Sequence, residues 1–289
     1  MRALVVLVTL VMVAGAVRAQ QSPAPTPSDA GSAAARPSTP NDSKPEDELL
    51  ARASKLYYST KAAGLEGFDC DVHPDWRTLF STADNGVAVA DNDLRLVTMN
   101  PVKITLHARM GGGSTVDWQP PANAGKEPDP DTATMVDRMH EATEQTLKGF
   151  LQFWTPFVDG SVVPATADGL KITRAPAEWT IHGEQNGTQV TEVFSNEMVL
   201  QHFSVVMGAM SIKFDPSYEN TEKGLLVNRF DAHIEPRGQS SVPVQEMHVR
   251  VVYATIDGLP IPSRLIVEVV GTGTFNMALD GCHTLRASK

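Results

Sequence analysis

The sequence predicts an α+β fold in which a curved antiparallel β-sheet, a half-barrel or open barrel, carries two main helices against its concave face. Three observations support this prediction. Segments with alternating apolar and polar residues occupy most of the chain after residue 64. Each of them has one apolar and one polar face, which is typical of an antiparallel sheet covered on one side. Only two stretches show a long helical period, and a sheet of about eight strands must curl to bury its apolar face against so few helices.

The first 19 residues have the pattern of a secretory signal peptide. Arg2 precedes an apolar core, Ala3–Val13, and Val17–Ala19 supplies small residues where signal peptidase cleaves. The apolar run is short for a membrane span, and no second long apolar run follows, so the mature form is predicted to lack a transmembrane helix. An uncleaved N-terminal anchor is the alternative. No cysteine lies near the cleavage point to carry a lipid, so we expect no lipid anchor. The signal peptide predicts export to the periplasm or the extracellular space.

Residues 20–45 are rich in Pro, Ser and Ala and are predicted to be a disordered linker. The linker is either a tether through the cell envelope or an unselected tail. Residues 46–289 are predicted to form a single α+β domain. Without the signal peptide, 22 Lys and Arg residues oppose 34 Asp and Glu residues, a net charge of −12. This charge argues against nucleic acid as a partner, and against binding to anionic membranes through a basic surface.

Cys70 and Cys282 are the only cysteines in the chain. An even count in an exported protein favours a disulfide. Closing so long a loop would stabilise the fold by up to about 5 kcal/mol. The alternative is two buried free thiols, because Cys70 shares the apolar parity of its predicted strand.

The first helix is predicted over Glu46–Ala63. A capping box with a proline in the opening turn precedes it, and Gly64 stands at its expected end. Of the adjacent rings of Tyr57 and Tyr58, we expect one inside and one at the rim.

The segment Gly67–Trp76 is predicted to contain a strand that ends at Pro74. Its polar face carries Asp69, Asp71 and His73. Side chains of these types at alternate positions could bind a cation, but the same composition is ordinary for the solvated face of a strand. With no further ligand cluster in the sequence, we predict no metal site.

The next part of the chain contains shorter elements. Arg77–Phe80 is predicted to be a short helical or irregular piece, and Leu94–Met99 and Val102–Met110 to be strands. Gly111–Ser114 has no strand-then-helix context, so it indicates a flexible tip rather than a phosphate loop. Thr115–Pro130 is predicted to be a long loop, either a lid or partner contact, or a variable excursion.

The second main helix is predicted over Asp131–Trp154, where apolar residues recur every three or four positions. Its stripe of Met, Phe and Trp residues favours core packing, or alternatively a surface for an apolar ligand. His140 and Glu141 do not form a zinc-binding helix motif, because the second histidine would fall at Glu144.

The remainder of the chain is predicted to form a series of strands. They are predicted at Gly169–Arg174, Ala177–His182, Thr188–Ser195, Met198–Met207, Gly208–Phe214, Gly224–Glu235, Gln245–Ile256, Ser263–Val270 and Thr274–Leu279. Asn186-Gly187 predicts a tight hairpin, which argues against use of the glycosylation sequon that starts at Asn186. Phe214–Tyr218 is predicted to open a loop, and Asp257–Pro262 a turn.

This order of elements, with the Asp257-Gly258 turn followed by Pro260 and Pro262, resembles the LolA/LppX-type periplasmic carrier superfamily. The resemblance covers roughly residues 46–279 and is one of layout. The loop at 111–130 departs from the small carriers, and no ligand-binding residue of the family can be placed on this chain. The resemblance implies a curved sheet with helices in its concavity, and binding of acyl chains, lipoprotein or glycolipid without catalysis or a cofactor.

The sequence therefore predicts an exported, non-catalytic protein that binds a hydrophobic small molecule or lipid. The candidate ligand-binding residues on the apolar faces are Met135, Met139, Phe150, Trp154, Phe230, Met247 and Tyr253. No catalytic residue, metal ligand or cofactor is predicted, since the chain has no nucleophile elbow and no zinc-type spacing. One alternative is an envelope-associated domain that binds a partner protein along a sheet edge. The other alternative is an exported hydrolase.

Overall fold

Twelve strands form one open antiparallel sheet in the structure, a computed structural model that describes residues 45–84, 86–120, 129–185, 187–237 and 244–287. The predicted signal peptide and all of the predicted linker except Pro45 lie outside these ranges. The strands are β1 (Leu65–Pro74), β2 (Lys103–Arg109), β3 (Thr115–Gln119), β4 (Lys171–Arg174), β5 (Glu178–Gln185), β6 (Thr188–Ser195), β7 (Leu200–Met207), β8 (Met210–Thr221), β9 (Gly224–Pro236), β10 (Gln245–Ile256), β11 (Leu259–Val269) and β12 (Gly273–Arg286).

Four helices accompany the sheet in the described ranges. They are α1 (Pro45–Ser54), α2 (Trp76–Ala83), α3 (Leu94–Met99) and α4 (Pro130–Val158). The α+β class predicted from the sequence is thus confirmed, with more strands and more helices than predicted.

The order of strands shows which part of the chain connects the two edges of the sheet. From β4 to β12 each strand pairs with the next along the chain, and β12 then pairs with β1, followed by β2 and β3. The consecutive strands β3 and β4 are therefore the two opposite edges of the sheet. The chain passes from one edge to the other between Gln119 and Lys171, and α4 is the main element in this connection.

Contacts along α4 follow this path. Near its start, His140 stacks on Trp118 of β3 with the ring centroids 4.7 Å apart. Near its end, Phe157 stacks on Phe230 of β9 at 6.1 Å. Asp129 caps the helix by accepting hydrogen bonds from the amides of Asp131 and Thr132.

Burial along α4 is uneven. All ten of its buried residues lie between Ala142 and Val158. The first three turns contain none, although Met135, Val136 and Met139 there are half-buried and pack against the core. The C-terminal half of the helix is therefore part of the core, and its N-terminal half is only partly covered.

The predicted disulfide is present between Cys70 of β1 and Cys282 of β12. The two residues are 212 positions apart in the sequence, and their strands are neighbours. The bridge therefore links the first strand to the last one, at the place where the sheet joins strands that are not consecutive in the chain.

Three predicted assignments, one helix, one strand and one loop, are wrong. The first helix ends at Ser54 rather than Ala63, because the chain beyond it bonds to β9: the Tyr58 amide donates to the Leu225 carbonyl at 2.9 Å. The segment predicted as a strand at Leu94–Met99 is the helix α3, capped by Asp93. The predicted loop after residue 114 begins with β3, where Val116 and Trp118 face the core.

Two predicted breaks at prolines are continuous strand. β8 runs through Pro216, and β11 runs through Pro260 and Pro262. Each of these residues lies where its strand is paired on one side only, since the β7–β8 ladder ends at Phe214 and the β11–β12 ladder begins at Arg264. At such a position a proline can turn its nitrogen, which carries no hydrogen, to the unpaired side of the strand. The predicted turn at Asp257–Pro262 is a two-residue hairpin, in which Asp257 and Gly258 both have positive φ.

Candidate functional site

The sheet splits between β9 and β10. Their ladder contains six residue pairs and ends at Arg229 opposite Arg250. Beyond that pair β9 continues its pairing with β8 as far as Gly224, and β10 continues its pairing with β11 as far as Ile256. The segments 224–228 and 251–256 therefore diverge, and the opening between them is called the β9–β10 split below.

Tyr253 bridges this split with a hydrogen-bonded chain. Its hydroxyl donates to the backbone carbonyl of Val227 on β9. The same oxygen accepts a hydrogen bond of 2.7 Å from the indole Nε1 of Trp154 on α4. Burial raises the pKa of Tyr253 above its ordinary value, with a partly opposing effect from the Trp154 hydrogen bond. These two hydrogen bonds fix α4, β9 and β10 relative to one another.

Aromatic rings surround Trp154, which is fully buried. Phe150 stacks on its indole at 5.7 Å, and Phe68 of β1 meets it edge to face at 6.2 Å. One position before it, Phe153 packs on Phe214 of β8 at 5.2 Å. Through these rings α4 contacts both β1 and β8.

The segment that follows α1 lies beside β9 at the split. The Leu225 amide donates to the Leu56 carbonyl at 2.7 Å, and the Tyr58 amide donates to the Leu225 carbonyl. Gly224 makes this close approach feasible: a Cβ there would lie 2.8 Å from the Leu56 oxygen. The φ of Gly224 is also positive, at 118°, so a side chain is excluded on two grounds.

Tyr57 and Tyr58 are both buried, contrary to the prediction that one would lie at the rim. The Tyr57 hydroxyl donates to the Met198 carbonyl at 2.8 Å and accepts from the Leu200 amide at 2.7 Å. The Tyr58 hydroxyl has no hydrogen-bond partner among the described residues. Burial raises the pKa of Tyr58 to about 12, and Arg286 opposes this shift.

The predicted ligand-binding residues fall into two groups. Phe150, Trp154, Phe230 and Met247 are buried in the core, and Tyr253 joins Trp154 at the split. Met135 and Met139 are half-buried near the other end of α4. Met135 lies 19 positions before Trp154, or about 28 Å along the helix axis. The residues therefore do not form one compact site.

The polar residues of β1 are dispersed rather than gathered around a cation. Asp69 accepts hydrogen bonds from Arg109 at 2.7 Å and His107 at 2.9 Å, whereas His73 pairs with Asp280 at 3.1 Å. Burial tends to raise the pKa of Asp69, but these bonds outweigh it and hold the pKa below its usual value. In the part of the chain that the structure describes, no group of three or more His, Cys, Asp or Glu side chains is arranged to hold a metal ion.

Two features of this region were missed in the sequence. The docking of residues 56–58 on β9 was hidden inside a predicted helix. The second is Glu192, which is buried on β6. Residues at alternate positions of a strand share a face, so the sequence already placed this carboxylate on the apolar face with Val190 and Phe194. The second feature was therefore visible in the sequence, and the first was not.

Comparisons with protein-family models, with curated proteins and with solved structures found no match to this chain. Among the helices in the described ranges, none combines the length and the apolar composition needed to cross a membrane.

Proposed function

We propose that this chain is an exported, non-catalytic protein that binds a hydrophobic ligand between α4 and the concave face of a curved sheet. The ligand class is a lipid, an acyl chain or a lipoprotein, as the resemblance to LolA/LppX-type carriers implies. The disulfide is compatible with export, because such bonds persist in oxidising compartments.

The contacts of two consecutive residues support the placement of α4 on a concave face. Phe153 packs on Phe214 of β8, and Trp154 contacts Phe68 of β1. In the sheet, β1 and β8 are five positions apart, which is about 24 Å if the sheet is flat. A helix with its side chains is only about 10–12 Å wide. Neighbouring residues on one helix can reach both strands if the sheet bends around it.

The observation that carries the proposal is the partly covered apolar face of the N-terminal half of α4. Met135, Val136 and Met139 continue the stripe of the buried half, yet no residue before Ala142 is buried. Methionine side chains adapt their shape to irregular or variable partners, which is why they recur at permissive binding surfaces. An acyl chain lying along this stripe would complete the burial that the sheet provides further along the helix.

A dye-displacement measurement tests this function. The purified chain should increase the fluorescence of N-phenyl-1-naphthylamine under native conditions, and lysophosphatidylcholine should displace the dye. The double variant Met135→Gln/Met139→Gln should weaken dye binding about tenfold or more, since two apolar contacts are replaced by polar ones.

Asp137→Gln is the matched control, because Asp137 lies between the two methionines on the exposed side of α4. This variant should bind the dye as the unmodified chain does. No fluorescence response in the natively folded protein, or equal binding by both variants, would contradict the proposed function.

The open sheet leaves two edge strands, so binding of a partner protein to an edge strand is the alternative function. The edges β3 and β4 are only five and four residues long, and β4 carries Lys171 and Arg174, features that discourage strand pairing. Cross-linking in the native envelope distinguishes the two functions: one discrete protein adduct favours edge binding, and its absence favours the carrier. Turnover in a screen of ester, glycoside and phosphate ester substrates would instead favour a hydrolase.

A further inference from the structure

A histidine contacts each face of the edge strand β3. Alternate residues of a strand point to opposite faces, so Asp117 lies on the solvent-facing side of the sheet and Trp118 on the side that faces the core. His107 of β2 contacts Asp117, and His140 of α4 contacts Trp118. In the described ranges β3 pairs only with β2, through five residue pairs. Two titratable rings therefore help to hold a short strand that has one free edge.

His107 lies between two carboxylates. Its Nδ1 is 2.9 Å from Asp69 of β1, and its Nε2 is 3.3 Å from Asp117 of β3. A neutral imidazole has one N–H and can donate to only one of them, whereas the protonated ring donates to both. Protonated His107 thus links β1, β2 and β3 through charge-assisted hydrogen bonds.

The other charges on this face leave His107 to its two carboxylates. Arg109 also donates to Asp69, at 2.7 Å, but it makes no contact with the imidazole. In the part of the chain that the structure describes, no third carboxylate lies within 4 Å of the His107 ring. The remaining charged or titratable side chains on the same face nearby are Lys103 of β2, Asp71 and His73 of β1, and Asp280 and His283 of β12.

The contact of His140 with Trp118 also favours a protonated ring. The two rings stack with their centroids 4.7 Å apart and their planes 22° from parallel. A cation over the face of an indole is attracted by the negative charge of that face. Protonation therefore strengthens the contact that joins β3 to α4.

The charges around His140 act in the same direction. Glu144, one turn along α4, lies 3.9 Å from its Nε2, although Lys148 shares this carboxylate at 2.6 Å. Asp137 lies one turn before it on the same helix. The helix α3 also contacts α4, and its one charged residue, Arg95, is already paired with two carboxylates.

Both contacts therefore depend on pH with the same sign. Between pH 5 and pH 8 carboxylates stay ionised, and imidazole is the side chain that ordinarily changes charge. Opening of β3 separates Asp117 from His107 and Trp118 from His140, so protonated rings oppose the opening. As the pH rises the rings lose this charge, and the opposition weakens.

We infer that protonation of His107 and His140 fastens β3 against α4, so that this edge strand opens more often as the pH rises from 5 to 8. For ligands the inference rests on the proposed function, because β3 lies beside the stretch of α4 that carries Met135 and Met139. Acid pH would then retain a bound ligand, and a rise in pH would release it.

Hydrogen–deuterium exchange of the full chain at pH 5 and pH 8 tests the inference, with rates corrected for intrinsic exchange at each pH. Protection of the β3 amides should fall about fivefold between the two pH values, since an exposed ion pair changes an equilibrium by up to about that factor. The strand β11 contains no histidine and is the internal reference. Equal corrected protection of β3 at both pH values overturns the inference.

Variants assign the effect to the two rings. His107→Gln should reduce the fall in protection, and His107→Gln/His140→Gln should abolish it. Asp117→Asn should act as His107→Gln does, because it removes the carboxylate and keeps the imidazole. His182→Gln is the matched control, since the His182 ring contacts the Thr191 hydroxyl at 2.9 Å rather than a carboxylate. It should keep the full fall.

Unchanged protection of β11 shows that each variant is folded. A fall in β3 protection that survives in the double histidine variant overturns the inference.

Release of N-phenyl-1-naphthylamine separates this inference from the proposed function. Release should be about fivefold faster at pH 8 than at pH 5 in the unmodified chain, and equal at both in the double histidine variant. Dye binding with a release rate independent of pH overturns the role of β3 in ligand access and leaves the proposed function standing. Absence of dye binding overturns the proposed function, whereas the exchange measurement still decides whether the histidines hold β3.

Discussion

At the residue scale, Tyr57 and Tyr58 show how two adjacent, buried and chemically identical side chains can differ in energetic role. Tyr57 links the segment after α1 to residues 198–200 through two hydrogen bonds, whereas the Tyr58 hydroxyl has no partner among the described residues. Tyr57→Phe should therefore lower the free energy of unfolding by about 1–3 kcal/mol, because the Met198 carbonyl and the Leu200 amide are left without partners. Tyr58→Phe should be neutral or slightly stabilising. Urea denaturation at neutral pH measures both, and equal losses would contradict this difference.

The raised pKa of Tyr58 predicts sensitivity to alkali. In the unfolded chain tyrosine ionises near pH 10, whereas in the folded chain the pKa of Tyr58 is about 12. Between these values the unfolded state binds fewer protons, so the free energy of unfolding falls as the pH rises. Tyr58→Phe should flatten this fall between pH 10 and pH 12. Denaturant titrations at a series of pH values measure it, and identical slopes for the variant and the unmodified chain would count against it.

Gly224 gives a second residue-level prediction. A methyl group there would collide with backbone atoms of Leu56, Tyr57 and Tyr58 and would also require a positive φ. Gly224→Ala should destabilise the fold by about 2–4 kcal/mol, more than strain at φ alone produces. Gly271→Ala is the control, since Gly271 also has a positive φ but has open space around it. It should lose only about 1 kcal/mol. Equal losses would mean that the contact with residues 56–58 is not tight.

Residue alternation predicted most of the side chains that face the core. Cys70, Phe230 and Met247 were assigned to apolar faces from their parity, and all three are buried. The environment of Tyr253 was not predictable, because a register shift beside it and the end of the β9–β10 ladder decide what its hydroxyl meets. The register shift and the end of the ladder depend on how two strands pair. The alternation of apolar and polar residues within one strand does not predict either of them.

At the element scale, the central feature is that α4 is the main element in the connection between the two edges of the sheet. The sequence predicted this helix from its period over Asp131–Trp154, whereas it ends at Val158 and includes Pro156 in its last turn. The short helix α3 has only six residues, too few for a period to separate helix from strand; its capping Asp93 was the one local signal. The strand β3 did carry an alternating pattern, which the neighbouring prolines obscured.

The disulfide gives a prediction for elements rather than single residues. It joins β1 to β12, the neighbours most distant in the sequence. Cys70→Ala/Cys282→Ala should lower the free energy of unfolding by about 3–5 kcal/mol, because closure of a very long loop is lost from the unfolded state. Chemical denaturation measures the loss.

Hydrogen exchange localises the effect of removing the disulfide. Faster exchange is expected in β1, and in the half of β12 that pairs with it, than in β5 and β6 at the far end of the sheet. An unchanged free energy of unfolding in the double variant would show that the bridge does not hold these strands together.

At the scale of the whole molecule, connectivity explains the shape that we propose. The meander from β4 to β12 pairs with β1, so the consecutive strands β3 and β4 become the opposite edges of the sheet, and α4 lies in the connection between them. The curled sheet was predicted because the apolar faces of about eight strands have only two long helices to cover them. This comparison uses the whole sequence. The split in the sheet could not be predicted this way, because it depends on where individual ladders end.

Photo-labelling with a diazirine-bearing fatty acid tests the central claim most directly, since it reports both whether an acyl chain binds and where. We predict that the native chain is labelled on α4 between Met135 and Ala142 and on the part of the sheet beside this stretch, where His140 stacks on Trp118 of β3. Labelling should disappear after denaturation and fall when unlabelled dodecanoate competes. No labelling above the denatured control, or labelling confined to the far edge strand β4, would contradict the claim that the ligand lies between α4 and the sheet.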